Sequence, residues 1–426
     1  MSNYHSFSAS VQGASHVKKK IVMQDASGNF EDEKVKLIAL SDGHGDSSCF
    51  RSDRGSRLIV DVGIAELKAF AEEMDGKECE LDDEKSREIR VRQLIRRILA
   101  NWNIEVEKDL ENNPVSEEEY KVCSNETIRQ AYKNGIKQNG IYGATFIAVL
   151  LTNTYVLALH QGDGRCLMID RNGAVTYPIP WDERCQGRNT TSVCNSDAAE
   201  STRYYYVRLN EQNRPAAFFV ASDGIEDSYR TLELSQCFYK DLCEKLVMEG
   251  KEETTKWLLN EQLYKVSSIG SGDDMSVAGV FDIEALKESL KQKGYKLTPQ
   301  RRSILDIIIQ KEGMHLTVEE IYDEVKKVCP EIGLATVYRT VLLFEELNVI
   351  YKLDLNDGCS RYELVHEDEE HRHHHLICNK CKKVIEVQDD LLEELEERIR
   401  NTYGFDILDH SVKFFGICSE CKNKEE

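Results

Sequence analysis

The chain has 426 residues, of which 41% are hydrophobic and 31% are charged. This composition excludes a disordered chain, and at roughly 100–200 residues per domain the length predicts two or three domains. Lys and Arg number 55 against 76 Asp and Glu, so the formal charge is −21. Taken whole, that charge argues against nucleic acid or an anionic membrane as a partner.

The first ten residues carry no basic or apolar signal segment, and no apolar run approaches the ~20 residues of a membrane span. We therefore expect a cytoplasmic protein without a membrane partner. In that compartment its 14 cysteines are expected to be thiols or metal ligands rather than disulfides.

Charge is spread evenly along the chain, but histidine is not. Residues 1–282 hold 34 Lys and Arg against 46 Asp and Glu, and the remainder holds 21 against 30. Seven of the 11 histidines lie after residue 282, together with two Cys-x-x-Cys pairs. The division predicts two regions with different chemistry.

Up to about residue 282 the pattern predicts strands with interposed helices. Apolar or β-branched runs predict strands at 35–41, 142–151, 155–159, 203–209, 216–222 and 275–281. Apolar residues at helical spacing, among them Ile89, Leu94 and Ile98, predict a helix over 86–110. Further helices are predicted over 55–73 and within 230–266, so the region is expected to be an α+β domain.

Four aspartates stand at the ends of predicted strands or in tight turns: Asp25, Asp42, Asp223 and Asp273. A lone Asp-Gly after a strand is usually a turn. Four in one domain, three of them beside Gly, favour a different interpretation. Hard divalent cations bind several converging carboxylate oxygens, and Gly lets a backbone carbonyl approach.

The segments QDA, SDGHG, YGAT, GDGR, SDGIED and GDDMSV follow one another over about residues 1–282. In this order they resemble the metal-dependent Ser/Thr protein phosphatases of type 2C. The resemblance implies an αββα sandwich with two Mn²⁺ or Mg²⁺ ions between its sheets and a third, weaker site. The resemblance implies that Asp42 bridges the first two ions, assisted by the Gly43 carbonyl. It implies Asp223 and Asp273 as further ligands of the first ion and Asp25 as a ligand of the second. Asp163 and Asp227 would bind the third ion.

In such a site a metal-activated hydroxide attacks phosphorus directly. The resemblance gives His44 the role of acid for the leaving oxygen and Lys20 that of a phosphate-binding residue, where animal enzymes have Arg. Gln24 and Asp274 also depart from the usual Glu and Asn. The alternative is an inert phosphatase fold kept as a scaffold, with His44 an ordinary turn histidine.

After residue 282 the pattern changes to short helices. They are predicted over 284–293, from an N-cap at Thr298 before Pro299, over 317–328 with a capping box, and over 335–347. Strands at 349–355 and 360–365 then flank a turn at 356–358. Three short helices followed by a hairpin are typical of a winged helix.

The strongest local signal is a pair of motifs, Cys378-x-x-Cys381 and Cys418-x-x-Cys421. Four thiolates at this spacing favour a structural tetrahedral Zn²⁺, although a single pair is also typical of redox sites. A histidine run precedes them. If it forms a strand, His373 and His375 face one side and His374 the other, whereas the alternative is a solvated tract.

LTPQR, HLTVEEIY, ATVYRTV, SRYEL, HHHLICNKC and the final Cys-x-x-Cys resemble the ferric uptake regulator family over about residues 284–426. The resemblance implies a winged-helix DNA-binding part and a dimerisation part. It implies a regulatory site for Fe²⁺, Mn²⁺ or Zn²⁺ formed by His315, Glu363, His373, His375 and Glu386. It also implies a second, variable site formed by His374, Glu393 and His410, although Arg372 replaces a His found in many members. The ligand set favours iron or a general divalent metal.

Binding of DNA is expected from local charge. Residues 287–302 contain six Lys or Arg against one Glu, which suits contact with phosphates. The candidate recognition helix, 335–347, would present Thr336, Tyr338 and Arg339, with Arg301 on an earlier helix. The alternative for Tyr338 is packing in the core.

The expected fold class is α+β in two parts, with a phosphatase sandwich over 1–282, a winged-helix domain over 283–366 and a small zinc-containing α/β dimerisation domain over 367–426. The chain is expected to be a protein phosphatase joined to a metal-responsive repressor. Its partners would be a phosphoprotein, a double-stranded DNA operator and a second copy of itself. The alternatives are a repressor with an inert front domain, and a phosphatase whose second half only dimerises or senses metal.

Overall fold

Two compact units make up the chain, Met1–Tyr295 and Lys296–Glu426. The computed structural model describes residues 3–185, 189–229, 232–292, 299–311, 314–346, 349–354, 360–364, 374–378, 380–381, 384–387, 402 and 413–422. Among these residues we find no helix with both the length and the apolar character needed to cross a membrane.

Two antiparallel five-stranded sheets form the centre of the first unit as described, in the orders β1-β10-β9-β6-β7 and β2-β3-β4-β5-β8. The strands are β1 (Tyr4–Val11), β2 (Ala26–Glu31), β3 (Val35–Ser41), β4 (Phe146–Thr152), β5 (Tyr155–Gln161), β6 (Arg165–Ile169), β7 (Val175–Thr176), β8 (Arg203–Arg208), β9 (Ala217–Ala221) and β10 (Met275–Asp282).

Helices cover the outer faces of both sheets. They are α1 (Ala14–Lys19), α2 (Ser52–Met74), α3 (Glu84–Asn112), α4 (Glu117–Val122), α5 (Glu126–Lys133), α6 (Ala198–Ser201), α7 (Asp223–Glu226), α8 (Leu232–Trp257), α9 (Leu263–Ile269) and α10 (Ile283–Gln292). Single turns lie at Glu78–Leu81, Gln138–Tyr142 and Leu258–Gln262. The result is the αββα sandwich that was expected.

Strand β3 shows how the layers are built. Its alternate side chains face opposite sides of the sheet. Leu37 and Ala39 join the core beneath α2 and α3, whereas Ile38 and Leu40 join the core between the two sheets. A third core lies between the other sheet and helices α8 to α10. Burial on both faces therefore fixes the register of the sheet.

Helix α3 buries a face close to the predicted one. Leu94, Ile95 and Ile98 are buried as the periodicity predicted, and the face continues through Trp102, whose indole N–H donates to the Gly55 carbonyl at 3.1 Å. Ile89 departs from the pattern, because its side chain is 59% exposed.

Helix α10 belongs to the first unit. Ala285 and Leu286 are buried in the same core as β10, so this unit extends beyond the boundary expected at residue 282. The amphipathic pattern after residue 282 is helical, as predicted, but its apolar face packs against the sandwich.

The second unit contains three helices and two small sheets among its described residues. The helices are α11 (Pro299–Gln310), α12 (Val318–Val328) and α13 (Leu334–Glu346), and a further turn, α14 (Ser419–Lys422), follows near the end. One sheet has the order β11-β13-β12 and comprises β11 (Leu316–Thr317), β12 (Ile350–Asp354) and β13 (Ser360–Leu364). The other has the order β15-β14-β16 and comprises β14 (His374–Cys378), β15 (Val384–Val387) and β16 (Lys413–Gly416).

The winged-helix outline rests on two local features that were predicted. Pro299 begins α11, and Thr317 caps α12 in a capping box with Glu320. The predicted turn at 356–358 and the N-cap at Thr298 lie outside the described residues.

Candidate functional site

Carboxylates from both sheets of the first unit converge at one edge. Asp42 follows β3, Asp163 follows β5, and Asp223 follows β9 at the start of α7. One oxygen of each lies within 4.8 Å of the others. Because β9 belongs to the opposite sheet from β3 and β5, the cluster spans the gap between the sheets.

Asp25, just before β2, is a deeply buried carboxylate at 3% exposure. Burial, followed by the charge of Asp274, raises the pKa of Asp25 to about 8. Its Oδ2 has no hydrogen-bond partner among the described residues. An unpaired buried carboxylate oxygen is costly unless a cation or proton meets it.

The same imbalance affects the other members of the cluster. Burial and then the charge of Asp223 hold the pKa of Asp42 well above its usual value. Burial, followed by Asp163, raises the pKa of Asp223 to about 7. An oxygen-only cluster with this surplus of negative charge fits a hard divalent cation such as Mg²⁺ or Mn²⁺.

The backbone around Asp42 is held closely. Thr145 Oγ1 accepts from the Asp42 N–H at 2.9 Å, and the Thr145 N–H donates to the Asp42 carbonyl at 2.8 Å. A Cβ on Gly43 would lie 2.6 Å from the Gln24 carbonyl, so only glycine fits at this turn.

Asp273 and Asp274 precede β10 and form a second group with His16. The His16 ring nitrogens lie 2.9 Å from Asp274 Oδ1 and 3.4 Å from Asp273 Oδ1. Asp273 is half exposed, whereas Asp274 is buried. Sequence reasoning missed His16, because no local motif links it to residues so distant in the chain.

Asp274 has a structural role. Its Oδ1 accepts from the Gly13 N–H and its Oδ2 from the Gln24 N–H, both at 2.7 Å. A single carboxylate therefore binds the backbone at both ends of the segment between β1 and β2, at Gly13 and at Gln24. An Asn at this position could accept only one of these bonds through its oxygen.

His44 lies beside the cluster. The backbone N–H of His44 donates to the Gly143 carbonyl at 3.1 Å, and its ring faces Gly143. Burial lowers the pKa of His44, although Asp163 and Asp46 oppose the shift. The uncharged imidazole therefore predominates at neutral pH.

The other predicted residues of this region fall in different places. Lys20 is exposed, with φ 58°, at the C-terminal end of α1. The Gln24 side-chain amide donates to Ser52 Oγ at 2.8 Å, so this side chain makes a hydrogen bond within the protein. Asp227 directly follows α7, where burial and then the charge of Asp163 raise its pKa.

The second unit brings its four predicted thiols together. Sγ atoms of Cys378, Cys381, Cys418 and Cys421 all lie within 4.8 Å of one another. Backbone N–H groups of Cys381 and Cys418 lower the pKa of Cys378 to about 6, which favours its thiolate. This soft, four-sulfur donor set fits a tetrahedral Zn²⁺.

Part of the predicted regulatory site is also assembled. His315 Nε2 lies 3.3 Å from Glu363 Oε2, and both side chains are buried. The Tyr351 hydroxyl donates to the same glutamate oxygen at 2.5 Å. His375 lies opposite Glu386 in the β14–β15 register.

The remaining metal ligands expected in this unit are not all visible. His373, Glu393 and His410 lie outside the described residues. Of His374, His375 and Glu386 only the backbone is described.

Helix α13 presents the expected polar side chains. Val337 and Val341 are buried, whereas Tyr338 is 51% exposed and Arg339 is exposed. The alternative of Tyr338 as a core residue is therefore wrong. Thr336 is half-buried at the start of the same helix.

The predicted basic stretch over 287–302 divides between the two units. Lys287 lies on α10 of the first unit and pairs with Glu284 at 2.6 Å, whereas Arg301 lies on α11 of the second. The described basic residues of this stretch therefore belong to two different units.

Comparison with known proteins assigns both parts. A family model for protein phosphatase 2C matches residues 12–265, and one for the ferric uptake regulator family matches residues 292–415. The ferric uptake regulation protein of Bacillus subtilis (strain 168) is 47% identical over 143 residues, which cover 34% of this chain and 96% of that protein. The chain belongs to both families.

Two further similarities accompany these matches. The peroxide-responsive repressor PerR of Staphylococcus aureus (strain USA300) is 32% identical over 143 residues, which cover 34% of this chain and 93% of that protein. A crystal structure of a bacterial serine phosphatase that bears a point mutation is 17% identical, with a TM-score of 0.40, and covers 65% of this chain and 98% of that chain. We call the two parts the phosphatase unit and the Fur unit.

Proposed function

We propose that this chain is a bifunctional regulator. The phosphatase unit hydrolyses phosphoserine and phosphothreonine with Mn²⁺ or Mg²⁺, and the Fur unit represses transcription in response to a metal. The observation that carries the first activity is the convergence of Asp42, Asp163 and Asp223 beside the buried, unpaired oxygen of Asp25.

Bound divalent ions would neutralise the phosphoryl group and lower the pKa of a water molecule. Asp42, Asp25 and Asp223 would hold these ions, with Asp163 and Asp227 toward a weaker one and Asp273 at the exposed side. Bound cations would also keep Asp25, Asp42 and Asp223 ionised, although burial raises the pKa of each of these carboxyls.

His44 would supply the proton to the leaving serine oxygen. Burial keeps its imidazole uncharged in the free protein. A phosphorylated substrate brings negative charge beside the ring, which favours uptake of a proton. Lys20, exposed at the end of α1, would attract the phosphate as a flexible point charge.

The phosphatase assignment is tested with p-nitrophenyl phosphate and Mn²⁺. We expect turnover by the full chain and a loss on the order of 10²–10³-fold in kcat for Asp42→Asn, the size seen when a charge-stabilising group is removed. Asp61→Asn, on the exposed face of α2, is the matched control and should retain activity. No turnover by the native chain at any Mn²⁺ concentration would favour the inert scaffold.

For the Fur unit, we propose that a metal at His315, Glu363, His373, His375 and Glu386 favours a dimer that binds a palindromic operator. Iron, manganese and zinc all suit these nitrogen and oxygen donors. The four-cysteine site would hold structural zinc. His374, Glu393 and His410 would form the second, variable site.

The exposed start of α13 supports DNA binding by this unit. We propose that Tyr338 and Arg339 contact bases, and that Thr336 and Arg301 contact the backbone. A helix that buries Val337 and Val341 while exposing Tyr338 has the amphipathic form of a recognition helix.

The repressor assignment is tested by selecting binding sites from a random duplex library in the presence of Mn²⁺. We expect a palindromic consensus and a mobility shift that requires metal. Arg339→Ala should weaken binding by about 1–3 kcal/mol, whereas Lys327→Ala, on the exposed side of α12, should leave it nearly unchanged. Equal losses in both variants would contradict the role given to α13.

A further inference from the structure

Six consecutive side chains between β1 and β2 of the phosphatase unit are exposed: Val17, Lys18, Lys19, Lys20, Ile21 and Val22. The apolar ones among them are 47%, 37% and 61% exposed in chain order. We call residues 14–22 the basic loop. Exposed apolar side chains are costly when clustered, so such a run indicates a surface that meets a partner.

The basic loop is held by hydrogen bonds to the segment 267–274, which carries Asp273 and Asp274. Asp274 accepts hydrogen bonds from Gly13 and Gln24, the residues on either side of the segment. Within it, Ala14 N–H donates to Ser267 Oγ at 2.9 Å and Ser15 N–H to the Gly272 carbonyl at 2.8 Å. The exposed run therefore has a defined position near the predicted metal ligands.

The charge of the loop differs from that of its surroundings. The chain carries a net charge of −21, and the neighbouring cluster is composed of aspartates. Such a protein repels a phosphorylated, acidic partner at long range. His16 of the basic loop contacts Asp273 and Asp274, and the three lysines that follow it closely in the chain add exposed positive charge to this acidic surrounding.

We propose that the basic loop is the docking surface for the phosphoprotein substrate. It binds a segment with acidic and apolar residues next to the phosphorylated Ser or Thr. Lys18 and Lys19 meet the carboxylates of this segment, and Val17, Ile21 and Val22 meet its apolar side chains. This proposal rests on the proposed phosphatase activity and specifies its substrate class.

Docking of this kind uses binding energy away from the reacting centre. p-Nitrophenyl phosphate carries no peptide side chains that could meet Lys18, Lys19 or the apolar residues of the basic loop, so its turnover reports only the metal site and Lys20. A phosphopeptide also reports the rest of the basic loop. The two substrates therefore separate docking from chemistry.

The test compares two ten-residue phosphoserine peptides, one with Glu and Leu beside the phosphoserine and one with Lys replacing Glu. The variants are Lys18→Glu with Lys19→Glu, and Val17→Ser with Val22→Ser, and Lys20 is left unchanged. The matched control is Lys77→Glu with Lys85→Glu, which makes the same charge change at exposed sites beyond α2 and in the first turn of α3.

The full chain should prefer the acidic peptide. The Lys18 and Lys19 double variant should lose about tenfold in kcat/KM for that peptide, mostly through KM, which corresponds to about 1.4 kcal/mol. Its p-nitrophenyl phosphate turnover and the control variant should stay within about twofold of the native chain. The Val17 and Val22 variant should lose affinity for both peptides.

Anisotropy of the labelled acidic peptide, measured with Ca²⁺ in place of Mn²⁺, tests docking even when turnover is absent. Absent turnover with loop-dependent binding contradicts the phosphatase proposal but retains the docking surface. Unchanged peptide affinity in both loop variants overturns the docking proposal. The docking proposal is also overturned if the loop variants leave peptide affinity unchanged but lose binding to a duplex DNA or no longer form a dimer.

Discussion

The carboxylate cluster of the phosphatase unit and the four-cysteine cluster of the Fur unit differ in how they depend on the fold around them. In the phosphatase unit, carboxylates stand at the ends of strands from two large sheets, over cores whose described members are hydrophobic side chains. In the Fur unit, the cysteines lie at one end of a three-stranded sheet whose strands β15 and β16 have only four residues each. We therefore expect the carboxylate site to depend on a sandwich that is stable without metal, and the cysteine site to stabilise its own small sheet when metal binds.

This difference follows from burial. A sandwich with three apolar cores derives its stability from packing and can bear uncompensated negative charge at one edge. A three-stranded sheet with short strands offers less apolar area, so we expect cross-linking by a metal to contribute directly to its folding free energy. Among the described residues, Phe414 and Phe415 of β16 are 43% and 49% exposed.

The largest effect is expected for Cys378→Ser. Loss of one thiolate should release zinc and unfold the β15-β14-β16 sheet, with a cost on the order of 5 kcal/mol or more to the Fur unit and none to the phosphatase unit. Calorimetry should show one of two transitions lost. Cys329→Ser, in the same unit but outside the cluster, is the control. Two unchanged transitions would falsify the structural role of zinc.

A smaller effect, of about 3 kcal/mol, is expected in the phosphatase unit for Gly55→Ala. A Cβ at Gly55 would lie 1.9 Å from the Tyr142 carbonyl oxygen, so α2 must shift away from the turn at Gln138–Tyr142. Gly45→Ala is the control, since its nearest neighbour would be a side-chain atom at 3.8 Å. Urea unfolding measures both. If removal of divalent metal lowered the free energy of unfolding of the phosphatase unit by more than Gly55→Ala does, that unit would depend on metal as we expect only of the cysteine site.

The third effect is a pH dependence that arises from His160 in the phosphatase unit. Burial, followed by Arg203 and Arg165, lowers the pKa of His160 to about 3. Between pH 6.5 and about 3 the unfolded chain binds a proton that the folded unit does not, so stability falls with falling pH by up to about 1.4 kcal/mol per unit. His160→Gln should remove this slope in urea unfolding curves. His5→Gln, on β1, should retain it.

The smallest expected effect is an increase in stability, whereas the three changes above lower it. Without divalent metal, Asp42→Asn removes one of several repelling carboxylates and should raise the free energy of unfolding by about 1 kcal/mol. With Mn²⁺ the variant should gain less stability than the native unit. A chelated Asp42→Asn protein that is less stable than the native chain would show that the cluster is not under repulsion.

Elements with a strong pattern were predictable from the sequence. Strand β3 has the bounds expected from its apolar run, and α12 begins at its capping box. Strands β1 and β2 were missed because YHSFSASV and ASGNFE mix polar and small residues. They are strands because they pair with β10 and β3, a tertiary effect that local propensity does not report.

The sites show the same limit. Motifs located Asp42, Asp223 and the four cysteines, since each motif is local. They did not predict that Asp273 is half exposed beside His16, or that Asp274 binds two backbone N–H groups. Those contacts depend on the pairing of β1 with β10, which joins distant parts of the chain.

The position of strand β10 also determines when the phosphatase unit can fold during synthesis. It lies inside its sheet between β1 and β9, and it directly follows Asp273 and Asp274. The phosphatase unit therefore cannot close, nor can its carboxylates assemble, until residue 282 has been translated. The Fur unit follows on the same chain. The two units are therefore produced in a fixed one-to-one ratio, and a stop before Met275 yields neither of them complete.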